Sequence, residues 1–256
     1  MAKKTATLTE TYKLPSLGKP YCTPDDQFPE EVTIRSMTTL EEKKRLGNQG
    51  FWKTICSILD DVVISPDGFE AKYATLFDFY FLMYKMRVVT YGKEYKVRIT
   101  CPDCGKEVTL KVDLDKLNVN YLDGDFQDTF KIGPLPRSKD ILECRFERVQ
   151  DKISSDKKVK DFKEKNPDFD GDPTEIFTLA SRIVTINGES KTPIELQMYV
   201  EDMSPLDSAY LNQAYNKIVN PIGMNTLCHE TCPSCGEDIE FNLPFTSEFF
   251  RPTFDI

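Results

Sequence analysis

Histidine is almost missing from this 256-residue chain, which holds one, His229, and a single tryptophan, Trp52. With one imidazole and no Gly-x-Ser-x-Gly elbow or comparable motif to pair with it, histidine-based nucleophilic catalysis lacks its parts. No glycine-rich phosphate loop of the Walker or Rossmann type occurs either. Basic charge is short: 33 Lys and Arg stand against 42 Asp and Glu, a net charge of -9. That balance disfavours a nucleic acid partner, because phosphate binding draws its affinity from clustered cations. The densest basic run, with lysines at 157, 158, 160, 163 and 165, alternates with acids and reads as a solvated helix face. Long apolar runs are absent too. The nearest to the roughly 18 residues that span a bilayer, Leu76 to Val89, is interrupted by Asp78, Lys85 and Arg87. Residues 1–16 carry Lys3 and Lys4 but no apolar stretch behind them, so no secretory signal is expected and the thiols should meet a reducing cytoplasm.

What is present is the balance of a folded protein: 39% hydrophobic residues, with 17 Phe and 11 Tyr. At this length the core needs no disulfides. Prolines 15, 20, 24 and 29 and the lack of periodicity suggest an extended arm over residues 1–30. A mainly helical region is expected over 31–92. There Val32 and Ile34 form a short strand, and Thr39 to Glu42 offers a capping box. Gly47 and Gly50 interrupt before a helix over 51–62, whose Trp52, Ile55, Cys56 and Leu59 share one face. An aromatic-rich helix then runs from about Tyr73 to Tyr91. Tyr95, Val97 and Ile99, then Val108, Leu110, Val112 and Leu114, alternate with polar residues as the two arms of a hairpin. Residues 116–225 read as a mixed strand and helix insertion, with strands near Phe130 to Ile132 and Leu142 to Val149, a charged helix over about 151–164, and helices after Pro173, Pro193 and Pro205.

The chemistry lies in the cysteines. Cys101-Pro-Asp-Cys104-Gly105 and Cys232-Pro-Ser-Cys235-Gly236 are the same device used twice, each followed by an alternating strand. Cys-x-x-Cys spacing lets two thiolates reach one metal, and the glycine accepts the positive φ that tightens the turn. Two such turns complete a tetrahedral site, and four soft sulfurs suit zinc. The site is closed, with no open position for water or substrate, so the ion is structural. A thioredoxin-like dithiol would place its first cysteine at a helix N-terminus, whereas both pairs here lead into strands. Cys228 and His229 lie close enough in sequence to Cys232 to substitute as ligands. Asn166 to Gly171 resembles half a calcium loop, but Phe177 stands where a bidentate Glu should be, so a turn and helix cap is the better reading. The fold expected is α+β: a helical N-terminal region and a split four-cysteine zinc ribbon of two hairpins, 93–115 and 226–256, interrupted by the insertion.

Several segments, in order, carry a resemblance. They are Leu14-Pro-Ser-Leu-Gly18 followed by Tyr21, Glu31 to Thr39, and Tyr91-Gly-Lys-Glu-Tyr95 leading into Cys101; then come Ile186-Asn-Gly188, the Cys232 turn, and Leu243-Pro244 with Phe249-Phe-Arg-Pro252. In these the chain resembles the baseplate hub family of T4-type contractile-tailed bacteriophages, departing from it in a longer and more charged stretch over 124–170. The resemblance implies a non-enzymatic structural or assembly component of the tail baseplate hub. Its partners would be other baseplate or hub subunits, and its place the host cytoplasm during assembly and the virion tail baseplate. A zinc-ribbon nucleic-acid-binding protein is the competing reading.

Overall fold

The computed structural model describes residues 8–19, 28–45, 50–126, 129–244 and 249–250. Among them are seven α-helices and five small sheets, every strand pair antiparallel. This mixture of helices with small sheets is what the α+β reading expects.

Strands β1 (Thr9–Lys13), β2 (Glu31–Arg35) and β3 (Val63–Ser65) form one sheet in that order. Within the segment read from sequence as an arm, β1 is therefore a paired strand, and Leu14 after it is fully buried. Helix α1 (Thr39–Lys44) starts one residue earlier than the sequence pattern suggests. Its capping box is Thr38 with Glu41, not Thr39 with Glu42, because the Glu41 carboxylate is also held by Arg35 and accepts from the Thr38 amide at 2.7 Å. Gly50, at φ 81°, caps α2 (Phe51–Val62), whose Ile55, Cys56, Ile58, Leu59 and Val62 turn into the core; Gly47 lies outside the described residues.

Helix α3 (Leu76–Tyr91) carries apolar residues on every face and is buried along most of its length, with Tyr80 the exposed exception. The sequence placed its start at Tyr73, but Ala71–Tyr73 is a separate 3₁₀ turn, and the Thr75 hydroxyl caps the true first turn by accepting from the Asp78 amide. The three charges that interrupt its apolar run are each bonded. Asp78 accepts from the Ser16 amide at 2.9 Å, Lys85 meets Asp115 at 3.3 Å, and Arg87 donates to the carbonyls of Gly92, Glu94 and Phe249. Around α3 gathers the larger core, which also takes residues from the bases of both cysteine hairpins: Tyr95, Val97, Val112, Cys228 and Leu243.

The hairpins are β4 (Glu94–Thr100) with β5 (Glu107–Asp113), and, near the other end of the chain, β12 (Leu227–Thr231) with β13 (Asp238–Asn242). Between them β6 (Val119–Asn120) pairs with β11 (Gly223–Met224), bringing the two ends of the intervening segment side by side. That segment builds a second core. Its sheet runs β10 (Glu189–Ser190), β9 (Ile183–Ile186), β8 (Leu142–Cys144), β7 (Phe130–Ile132), with helices α4 (Val149–Lys165), α5 (Thr174–Arg182), α6 (Pro193–Glu201) and α7 (Pro205–Val219). The strand expected to continue to Val149 stops at Cys144. Asp151 reaches back to accept from the Arg148 amide at 2.8 Å and from Arg145, which starts α4 instead. The lysines of α4 at 157, 158, 160, 163 and 165 are exposed, as a solvated face requires. Asn166 ends this helix, and Asp172 accepts from the Thr174 amide at 3.0 Å to start α5, so the calcium-like stretch is a turn and cap.

Candidate metal centre

Both cysteine turns close in the same way. The Cys101 amide donates to the Lys106 carbonyl at 2.9 Å and the Gly105 amide to the Cys101 carbonyl at 3.0 Å; the Cys232 amide donates to Glu237 at 2.8 Å and Gly236 to Cys232 at 2.9 Å. Gly105 and Gly236 hold φ of 68° and 83° with open space where a Cβ would stand. Conformation, not crowding, demands glycine there.

The hairpins belong to separate sheets, yet their tips meet. The sulfurs of Cys101, Cys104, Cys232 and Cys235 all lie within 4.8 Å of one another. Cys101 Sγ is 3.8 Å from Cys235 Sγ, and Cys104 Sγ 4.0 Å from Cys232 Sγ. Four thiolates bound tetrahedrally at a zinc–sulfur distance of about 2.3 Å stand about 3.8 Å apart, whereas a disulfide needs about 2.05 Å. The donor set thus fits a metal and not a pair of disulfides. Cys101 and Cys232 are buried against Val108, Leu110 and Ile239, while Cys104 is half-buried and Cys235 exposed.

Acidity within the cluster is uneven. Burial opposes ionisation of Cys232, but the amides of Ser234 and Cys235 and the neighbouring Cys235 and Cys101 thiols outweigh it and lower this thiol to about 7. At Cys235 the Glu237 amide favours the thiolate, yet contact with Cys232, Cys104 and Cys101 pushes the thiol up to about 12. Four sulfurs this close cannot all carry charge unaided, and a divalent cation is what would let them.

The other cysteines stand apart. Cys56 and Cys144 are buried core residues whose thiols burial pushes up to about 12; Cys22 lies outside the described residues. Cys228 points into the large core with its Sγ 3.5 Å from the Thr226 carbonyl, and exposed His229 faces Glu240 at 3.7 Å. Neither belongs to the sulfur cluster. No sequence pattern marks a buried charge pair elsewhere, Glu147 with Arg182, whose members are 35 positions apart and meet only through the fold. Among the described residues no helix is long and apolar enough to cross a membrane.

Comparison with curated proteins and with solved structures finds no match. The sequence model for the T4 bacteriophage base plate protein matches residues 5–251, so it takes in both cysteine hairpins and everything between them. On that near-complete coverage, the chain belongs to the T4 bacteriophage base plate protein family.

Proposed function

We propose that this baseplate protein is a non-enzymatic structural or assembly component of the tail hub, held together by one structural zinc on Cys101, Cys104, Cys232 and Cys235. The observation that carries the zinc reading is the convergence of four sulfurs from turns more than a hundred residues apart in the chain. Such a set is closed, which supports a structural role over a catalytic one. When bound, the ion supplies charge compensation for four thiolates and nothing else. The chain's own residues do the rest: paired amides and carbonyls fix each turn, and the hairpin bases lock into the large core. A two-stranded hairpin alone is marginal in water. Joining the two tips makes the hairpins one split ribbon, spanning 93–115 and 226–256. The helical region over 31–92 shares its apolar core with the hairpin bases, β1 from the segment expected as an arm over 1–30 pairs with β2, and the insertion over 116–225 has an apolar core of its own.

The hub assignment rests on the family together with the ordered landmarks from Leu14 to Phe250. On this reading the partners are other hub and baseplate subunits, met in the host cytoplasm and retained in the tail. Mass spectrometry of purified particles beside infected-cell lysate tests it. Peptides of this chain should accompany baseplate or hub intermediates in the lysate, and their presence in particles would mark a permanent part. A chain that sediments alone, apart from every baseplate intermediate, would overturn the hub reading.

A further inference from the structure

Away from the sulfur cluster, a cavity of about 500 Å³ opens where α3, α7 and the stretch around Phe146 meet. Its volume is in the range of pockets that hold a ligand or one or two side chains. Phe77, Phe146, Val219 and Ile222 give it apolar walls, and three charged side chains stand at one end. Glu147 is 4% exposed and Arg182 7%. Glu147 Oε2 accepts from Arg182 Nε at 3.1 Å and Nη2 at 3.0 Å, Arg182 Nη1 donates to Asn212 at 2.8 Å, and the guanidinium lies over the Tyr215 ring at 4.0 Å. Arg182 is thereby spent on the protein. Glu147 Oε1 has only Lys152 Nζ beside it, 2.9 Å away and out of line for a hydrogen bond.

Two cations therefore surround one carboxylate, leaving a surplus positive charge on Lys152, whose side chain is still partly accessible. Tyr80 and Tyr84 also line the cavity, and neither phenol forms a side-chain hydrogen bond among the described residues. Burial, and at Tyr80 the nearby Glu147 charge, raise both phenols above their usual range, so both remain protonated donors. Beside the unsatisfied Glu147 Oε1, the cavity holds one cation more than it holds carboxylates, together with two phenols and apolar walls, a set that a further anionic group would balance through Lys152.

We propose that this cavity receives an Asp or Glu carboxylate flanked by an aromatic or aliphatic side chain, presented by a partner baseplate subunit, with Lys152, Tyr80 and Tyr84 as its donors. The chemistry comes from the cavity alone; only the choice of a protein partner rests on the baseplate reading. Tyr80 is 40% exposed at the rim, and its ring lies 6.2 Å from that of Trp52, the chain's single tryptophan, so occupancy is readable by fluorescence.

The test titrates the full chain with 3-phenylpropionate, 3-phenylpropionamide and 2-phenylethylamine, following Trp52 emission. The carboxylate should bind about tenfold more tightly than the amide, the amine no better than the amide. Lys152→Gln should erase that preference, Lys152→Arg keep it, and Tyr80→Phe weaken the carboxylate alone. Equal binding of all three probes, or a preference that survives Lys152→Gln, overturns the proposal. In infected lysate, Lys152→Glu should cut co-sedimentation with baseplate intermediates about tenfold. A carboxylate that binds in vitro while Lys152→Glu co-sediments normally would overturn the partner as its source and leave a small-molecule site. Wild-type chain missing from baseplate fractions would instead overturn the baseplate reading, and the titration would still decide the cavity's chemistry.

Discussion

Cys101 Sγ and Cys235 Sγ stand 3.8 Å apart although 134 positions separate them in the chain. Among the described residues no hydrogen-bonded strand joins the two hairpins that present them. The large core fixes the hairpin bases, and at the tips the small apolar cluster beneath the sulfurs and the proposed ion would add to it.

If that ion is zinc, replacing one outer ligand should release it. Cys104→Ser and Cys235→Ser are expected to drop bound zinc from one ion per chain to below about a tenth. Structural zinc contributes on the order of 10 kcal/mol in isolated zinc modules, and a chain of this size loses about 2–4 °C per kcal/mol, so the melting temperature should fall by at least about 10 °C. Cys228→Ser, outside the cluster, should keep its zinc. Elemental analysis with scanning calorimetry checks both; unmetallated wild type with unchanged melting in the variants would remove the zinc from the account.

The turns separate strain from crowding. At Gly105 an added Cβ meets open space, so Gly105→Ala should cost only the positive-φ penalty, about 1–2 kcal/mol. Gly18, at φ 66°, would place its Cβ 2.6 Å from the Phe28 carbonyl oxygen. Backbone must then move, and Gly18→Ala should cost more than about 3 kcal/mol. Urea midpoints for the two variants decide the order; equal losses would contradict it.

How much of this was legible in the sequence depends on whether the signal was local. The cysteine turns were, because spacing, proline and glycine encode the knuckle within five residues. So were β4 and β5, where Tyr95, Val97, Val108, Leu110 and Val112 alternate and are all buried. Strand β1 was hidden because Thr9–Lys13 is mostly exposed and polar, and only pairing with β2 makes it a strand. Strand β9 was missed for another reason: its four residues follow α5 with no turn between. The cavity could not be read at all, since Lys152, Arg182 and Tyr80 come from three helices with no shared pattern.

Acid should find a weak point at α1. The Glu41 carboxyl is lowered to about 2, chiefly by its hydrogen bond to Arg35, against the opposing effect of burial and with help from Thr38. Its folded value lies below the ordinary one near 4.5, so its stabilisation is complete above that pH and is lost as pH falls toward 2. Glu41→Gln should destabilise the protein at pH 7 by up to about 3 kcal/mol, and the gap to wild type should close between about pH 5 and pH 2. Denaturation midpoints across that range test it; a gap independent of pH would deny the ion pair its role.

Phe249 is tied to α3 and to the first cysteine hairpin: it is fully buried between Tyr84 and Tyr95, with ring centres 4.9 and 5.2 Å away. Its carbonyl accepts from Arg87 Nε at 3.1 Å, and the guanidinium lies 5.8 Å from its ring. Phe249→Ala keeps the carbonyl and removes the ring, leaving a cavity beside a buried cation. Large aromatic truncations in a core cost about 3–5 kcal/mol, and that loss is expected here, while Phe249→Leu should recover more than half of it. Because Tyr95 sits at the base of the first cysteine hairpin, the Ala variant should also speed loss of the proposed zinc to a chelator. A Phe249→Ala chain that is less than about 1 kcal/mol weaker in urea and exchanges metal at the wild-type rate would mean that the ring merely covers the core without holding the hairpin base to α3.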